Sequence, residues 1–577
     1  MKRNHQNTCL AALFLCLASA AAFAQEDNVM KAMRDELNRS MKKLQLENLG
    51  KPYFLSYTVI DTDTASASAS FGSLNGKAEP QHGRYAKVQL RVGDYKFDNR
   101  NFFSVSFASG VSRGFGSTSL PLDDNYDEIR RQLWLATDGA YKKAIEDLSK
   151  KVALLANKNR GDVIPDFSKE TVVTISDVLP PAEIKTSEME TLVRGLSGLF
   201  KQAAGISTSS VSLRISNEFS RYINSEGASS TIRQPEVQLT ISTSSQAADG
   251  QPLSAGFAYR TRSMSDLPPR AEMEAKIRLR SKQIAELRTD ALPDRYAGPV
   301  LFEGEAAAEI VYRAFMPHIL ATPEVLVDNP QYRSMVARDS ENLVEKIGLR
   351  VLPEFLSLID DPIATASGKT RLLGTYKVDD EGVPTRRMQV VENGLLMKLL
   401  TGRAPVQGIP QSSGSFHNGG VSPSNVIFTS SKSLPLDQLR AELLRRAKIR
   451  GKDYAIIVRK VDFSTRGNDS AGLAPGSLAV LLAYKRFADG HEEPIRNAII
   501  NGINFGSFKD ILAVSDTPEV WSASYSPRST NPFEPAGSTF VSLVVPALMF
   551  EDATVQKPTG NVNKPPFVEH PFFSKSQ

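Results

Sequence analysis

Cysteine is almost missing from this chain of 577 residues: Cys9 and Cys16 are its two cysteines, and both lie near the start. Everything downstream is therefore without a disulfide framework, a catalytic thiol or a thiolate metal ligand. A chain of this size can bury enough surface to do without covalent staples. Histidine is nearly as scarce. The six (His5, His82, His318, His417, His491 and His570) are scattered, and no two stand at the spacing that places a pair of metal ligands on one helix face. Charge of one sign is also lacking. The formal net charge is +5, and Lys2 and Arg3 supply two of those charges. The remaining +3 is too small, on this length, to argue for nucleic acid or a membrane surface.

Long apolar runs are confined to Cys9–Ala22, which is too short to span a bilayer. Lys2-Arg3 precedes that run and Ala22-Phe23-Ala24 follows it, the pattern of a cleaved leader. The expectation is cleavage after Ala24 and a periplasmic or secreted protein with no membrane span afterwards. The Gly110, Ser112 and Gly114 spacing matches a nucleophile elbow, but Phe115–Ser119 is a Gly/Ser loop where the elbow needs a helix, so the match is read as chance.

With 41% hydrophobic and 23% charged residues, the chain is soluble, globular and long enough for several domains. The pattern predicts an α+β protein: a leader (1–24), an N-terminal domain of helices and antiparallel strands (25–290), a strand-rich C-terminal domain of mixed or antiparallel sheet with a few helices (297–555), and a Pro-rich tail (556–577). Helices are expected at Val29–Leu49, Tyr126–Ala156 (with Trp134 inward), Met189–Ala204 and Pro269–Arg288. Strands are expected at Phe54–Ile60, Ala65–Phe71, Tyr85–Val92, Phe102–Phe107, Val211–Ile215 and Val237–Ser242, with a turn at Ser225-Glu226-Gly227. Further on, Met388–Val391 should turn back at Asn393-Gly394, the strongest short hairpin signal. Strands are also expected at Tyr454–Val461, Ser477–Tyr484, Pro494–Ile500 and Thr539–Val545. A helix with Leu436, Leu439 and Leu443 inward should end at Gly451. Its basic far side (Arg440, Arg445, Arg446, Lys448, Arg450) reads as a solvated face, not as a nucleic-acid contact.

The richest segment is Tyr296–Pro317. Glu303–Phe315 reads as one helix, with Ala307, Ile310, Val311, Ala314 and Phe315 forming a buried stripe and Pro317 as the stop. Glu305, Glu309 and Arg313 fall four apart on another face, a like-charge pair followed by a favourable Glu–Arg pair.

Tyr296, Gly298, Pro299, Val300, Leu301 and the run Glu305–Ala308 resemble the start of the C-terminal domain of the TldD/PmbA family of metallopeptidases. Asp360-Asp361-Pro362, Gly374, Asp379-Asp380-Glu381-Gly382-Val383-Pro384 and Glu392-Asn393-Gly394 follow that family's block order. Gln411–Gly420 resembles its Ser-Asn-Gly-His loop, and the turn at Asn224–Gly227 resembles its N-terminal domain. In the metal-binding branch the helix continues to HExxxH. Aligned on Ala306-Ala307, Tyr312 stands at the first His, Arg313 at the Glu and Pro317 at the second His, while the family's C-terminal Cys ligand has no counterpart. Zinc catalysis needs three ligands and a base, and a guanidinium stays protonated. The expectation is therefore no catalytic residue, no metal and no cofactor.

The resemblance further implies that metal-free members pair with metal-binding ones to close a chamber for unfolded peptides. The chain then reads as a non-catalytic partner or scaffold subunit, in a hetero-oligomer with an HExxxH relative or as a homodimer, with no nucleic-acid role. Glu309, His417 and Asn418 are its candidate peptide contacts. Phe567, Phe572 and Phe573 of the tail are candidate interface anchors. Two alternatives stand beside this: a peptidase that recruits zinc or acid–base groups through Glu305, Glu309, His318 and His417, or a stand-alone peptide-binding protein.

If Ala307 and Ile310 lie on the buried stripe, Ala307→Asp and Ile310→Asp each bury an unpaired charge. Both are expected to destabilise the C-terminal half by several kcal/mol in denaturant unfolding.

Overall fold

The computed structural model describes residues 27–46, 49–104, 117–156, 164–289, 292–336, 343–461, 477–527, 537–558, 566, 568 and 570–573. The leader and its Ala24 site, the Gly110–Gly114 motif and Phe567 lie outside the described residues.

The N-terminal half is one large sheet backed by helices. Helix α1 (Asn28–Lys43) opens on Asp27, whose carboxylate accepts the Val29 N–H, and buries Val29, Ala32, Met33 and Leu37. Strand β1 (Pro52–Ser70) is a single long strand where two were expected. The polar run at Asp61 reads as a break, but Arg84 and Arg221 from the flanking strands both bind the Asp61 carboxylate, so pairing continues through it. β2 (Gln81–Val92) follows. Helix α2 (Tyr126–Leu155) then packs Ile129, Leu133, Thr137, Tyr141 and Ala144 inward. Trp134 points outward and is half exposed, because it falls one position past the buried stripe.

β3 (Thr174–Val178), α3 (Thr186–Gly198), β4 (Thr208–Asn224), β5 (Ser229–Gln246), β6 (Pro252–Thr261) and α4 (Arg270–Leu287) complete this half. The strand order is β2-β1-β4-β5-β3, with β6 beside the far part of β5; all pairs are antiparallel except β3–β5. Strict alternation makes the sheet two-faced. Ala65, Ala67, Ala69, Val211, Leu213, Ile215, Val237, Leu239 and Ile241 pack with α3 and α4. The residues between them are mostly Ser and Thr and form the opposite, polar face.

The C-terminal half begins with β7 (Tyr296–Phe302) and α5 (Glu305–Ile310). β8 (Leu356–Asp360), β9 (Met388–Glu392), β10 (Leu395–Leu396), β11 (Asn425–Ser430), helix α6 (Leu436–Ile449), β12 (Tyr454–Val461) and β13 (Leu478–Phe487) come next. β14 (Glu492–Ile495), β15 (Ala498–Asn501), β16 (Ile511–Val514), β17 (Glu519–Tyr525), β18 (Thr539–Val545) and β19 (Leu548–Gln556) finish it. One sheet runs β7-β12-β13-β15-β19 and closes on itself through β19–β7; the other runs β10-β9-β8-β11-β18-β17. Each holds one parallel pair in an otherwise antiparallel sheet, and the two enclose one continuous apolar core. The protein is α+β. Among the described residues, no helix is long and apolar enough to cross a membrane.

The basic side of α6 is solvent-exposed as expected, and its four arginines are ion-paired. Arg440 binds Glu303 at 2.9 Å, Arg445 and Arg446 bind Glu442, and Arg450 reaches Glu551 and Asp552. The tail also departs from expectation. Phe573 packs on the core of the chain's own N-terminal sheet, and Phe572 lies 5.2 Å from Phe71. Phe573 is thereby half-buried within the chain, whereas Phe572 keeps 52% of its surface exposed.

The halves are tied at Arg403, which is 1% exposed. Its guanidinium forks onto Glu226 at 2.7 and 2.9 Å, donates to the Ser168 carbonyl and lies 3.9 Å over the Phe167 ring. Its backbone N–H donates to Glu381 at 2.6 Å, and Tyr222 donates to the Glu381 carbonyl. Arg403→Met leaves Glu226 and Glu381 crowded without their cation. It is expected to cost about 3–5 kcal/mol in urea unfolding, the usual penalty for breaking a buried ion pair from one side.

Candidate functional site

The segment singled out in the sequence sits at the seam between the halves. β7 ends at Glu303, buried and held by Arg440 and Arg459. Gly304, at φ +63°, then turns the chain into α5. The expected single helix does not form. After Ile310 the backbone widens into a π-turn (Val311–Phe315) and tightens into a 3₁₀ turn (Met316–Ile319) around Pro317. Proline lacks the N–H that an α-helix would need there, and the π-turn absorbs the misfit; such bulges recur at functional sites. The apolar stripe otherwise stands, with Ala307, Ile310, Val311 and Phe315 buried and Ala314 half-buried.

The polar face is rearranged. Lys460 of β12 reaches between the two carboxylates, at 2.7 Å from Glu305 and in direct contact with Glu309, and Lys276 of α4 takes the other oxygen of Glu305 at 2.9 Å. Burial raises the carboxyl of Glu305, but the two ammonium groups outweigh it and bring it down to about 2. Glu309 is fully buried, its second oxygen accepts the Val461 N–H at 2.8 Å, and burial lifts its carboxyl despite Lys460. Glu309 is therefore not a peptide contact, since both oxygens are occupied inside the fold. Its partner is Lys460, not Arg313.

Tyr312 donates its hydroxyl to the Ser524 carbonyl of β17 at 3.0 Å, with its ring edge-on to Trp521 and Tyr525. Arg313 is half-buried in the π-turn, and His318 stacks against Phe505 at 4.7 Å. Among the described residues, no three His, Cys, Asp or Glu side chains converge as a metal-binding group.

His417 and Asn418 do come together, on a hairpin whose two-residue turn, Asn418-Gly419, has positive φ at both positions (52° and 92°). His417 is buried, with Nδ1 3.8 Å from Asp380 and its ring 4.4 Å from that of Tyr376. The Asn418 N–H donates to Asp380 at 2.6 Å, while its amide donates to the Ser538 carbonyl at 3.0 Å. Asp380 keeps 42% of its side-chain surface although it is crowded. Burial pushes its carboxyl up, yet the His417 contact holds it below the usual range.

Facing this hairpin is the polar side of the N-terminal sheet. Tyr85, Lys87, Glu218, Glu236 and Arg260 all fall on that side by strand register. Neither Glu218 nor Glu236 has a hydrogen bond or ion pair among the described residues. Burial and the charge of Asp380 raise Glu218, with Lys87 opposing. Burial lifts Glu236 to about 7 against the pull of Arg262. The result is a polar seam between the halves, with two half-buried carboxylates on one wall and Asp380, His417 and Tyr376 on the other. Sequence reasoning singled out His417 and Asn418 as candidates but not the opposite wall. The signal available was the charged interruptions (Glu218, Glu236) in an otherwise Ser/Thr-rich alternation.

Residues 294–557 match the PmbA/TldA metallopeptidase C-terminal domain. The chain belongs to the TldD/PmbA family. It is 22% identical over 264 residues to a metalloprotease of Methanothermobacter thermautotrophicus, covering 44% of this chain and 53% of that one. It is 38% identical over 69 residues to a metalloprotease of Methanocaldococcus jannaschii, covering 12% and 14%. The matches thus span about half or less of these relatives. The whole fold resembles TldE from Thermococcus kodakarensis (TM-score 0.57, 16% identity, 91% of this chain and all of that one). It also resembles a Thermotoga maritima protein named as a DNA gyrase modulator (TM-score 0.58, 16% identity, 91% and 100%). At that identity the likeness shows the fold alone.

The raised carboxyl of Glu236 has a definite consequence. A carboxyl near 7 in the folded state and near 4.5 unfolded favours folding while protonated, so its contribution is present below about pH 4.5 and lost as pH rises through about 7. Glu236→Gln is expected to abolish that decline, making the variant more stable than wild type above pH 7 by up to about 3 kcal/mol and no more stable at pH 4. Urea unfolding across that range measures the difference.

Proposed function

We propose that this member of the TldD/PmbA family is an exported, non-catalytic subunit that holds extended peptide in the cleft between its halves, as partner to a metal-binding relative. One observation carries the reading. At the position where the resemblance expects the first histidine ligand, the Tyr312 hydroxyl is committed to a backbone carbonyl of β17. Arg313 beside it cannot act as a base, and Pro317 offers no donor atom. This donor set does not fit a zinc ion, so no hydrolytic step is assigned to it. The polar cleft supports the other part of the reading: a Ser/Thr-rich sheet face opposite a hairpin, next to two sheet edges, suits a backbone-recognised strand better than a compact ligand. The leader-like start supports export, and a relative carrying HExxxH in the same compartment would supply the chemistry.

Purified alone, the protein is expected to retain well under one equivalent of zinc after dialysis and to leave unfolded casein intact. Co-expressed with an HExxxH relative from the same genome, it should co-purify as a complex that cleaves casein and is stopped by a chelator. Stoichiometric zinc lost on mutating His318 or His417, or chelator-sensitive cleavage by the chain alone, would sink the reading.

A further inference from the structure

The contact made by Tyr312 says more than that a ligand is missing. Among the described residues β17 is the last strand of its sheet, paired only with β18, with Ser522 across from Ser542 and Ser524 across from Phe540. Along an antiparallel strand, the carbonyls of alternate residues point to the same side. Those of Ser522 and Ser524 meet side chains from outside the sheet: Arg260 Nη1 donates to the Ser522 carbonyl at 2.9 Å, and Tyr312 donates to the Ser524 carbonyl at 3.0 Å. Arg260 also reaches Ser524 Oγ at 3.4 Å. Arg260 itself stands on β6, which among the described residues pairs only with β5. The outer edge of β17 therefore lies against the polar face of β6 at the seam, and two side chains, one from each half, occupy two of its acceptors. The Tyr312 ring is held there by Trp521 and Tyr525 of the same strand.

An uncovered edge strand is a template for any extended chain. We propose that Tyr312 and Arg260 form an internal cap on the outer edge of β17, and that an extended peptide gains this edge only by displacing them. The ligand class follows from the acceptors: backbone amides of an unfolded segment, read with little regard to side chains. This rests on the reading of the chain as a peptide holder, and it adds that the resting protein restrains its own binding.

The test uses the full mature chain, a fluorescein-labelled proline-free extended peptide, and the same peptide methylated at alternate backbone nitrogens. Tyr312→Phe removes one donor and keeps the ring; Arg260→Met removes the other and keeps the stem. Two competing hydrogen bonds lost should tighten binding of the plain peptide by roughly tenfold in the double variant, and that of the methylated peptide not at all. Equal affinity for wild type and variants overturns the cap and leaves the peptide-holding reading standing. A gain shared by the methylated peptide also overturns it, because the edge would then not be read through backbone amides. If neither protein binds any peptide, the cap and the reading beneath it fall together. Should circular dichroism show the double variant unfolded, Tyr312→Phe alone decides, with a gain of roughly threefold expected from one lost bond.

Discussion

A buried guanidinium organises this molecule. Taking the Arg403 cation out of water costs several kcal/mol, and only close, well-directed partners offset that. Carried by the C-terminal half, it finds them across the seam in the N-terminal half: the Glu226 carboxylate, the Ser168 carbonyl and two aromatic faces in Phe167 and Phe54. Its own backbone N–H meanwhile fixes Glu381 in the loop that also carries Asp379 and Asp380. A half-docked arrangement would strand the charge, so the halves meet in one register or not at all. That register sets Asp380 and His417 opposite Glu218 and Glu236.

The cleft thus inherits its character from constraints outside it. Its C-terminal wall is built from satisfied groups: Asp379 accepts the N–H groups of Glu381, Val383 and Phe416, and Asp380 accepts that of Asn418. Its N-terminal wall carries Glu218 and Glu236, which have no hydrogen bond or ion pair among the described residues, on a sheet packed on helices through its other face. A sheet packed on helices along one side can leave Glu218 and Glu236 crowded without collapsing, because the alternation that buries Val211, Leu213 and Ile215 leaves the intervening positions free to vary. Charged side chains can stand there because the core lies on the other face.

What the sequence made legible was local. The turn at Asn393-Gly394 has positive φ at both residues (46° and 81°), as Asn-Gly predicts, and Leu439 and Leu443 are fully buried in α6 with Gly451 beyond its end at φ +69°. The family blocks were equally visible, because they are runs of adjacent residues. What stayed hidden depends on partners far along the chain. Periodicity gave Glu309 a surface and an Arg313 partner because it cannot see Lys460, more than a hundred positions away, arriving on another strand. The same blindness split β1 at Asp61, whose two arginines come from neighbouring strands, and set Trp134 inward on a helix whose low amphipathicity left its faces ambiguous. His417 was recoverable as a histidine in a glycine-rich loop, but its setting against Asp380 and Tyr376 exists only once the hairpin folds.

The motif segment then reads as a sequence of closed accounts. Glu303 goes to Arg440 and Arg459, Glu305 to Lys276 and Lys460, Glu309 to Lys460 and the Val461 N–H, and Tyr312 to Ser524. A hydrolytic site needs the opposite, groups poised with unspent capacity and a pKa near the working pH. Along this helix the carboxylates are instead consumed in holding α5 to β12, α4 and α6. Groups with unspent capacity stand across the cleft, on strands, facing a covered sheet edge. On the function proposed above, those strand-borne carboxylates orient and retain an extended chain. In that reading the division of labour runs between two proteins, with retention here and bond-breaking supplied by a partner.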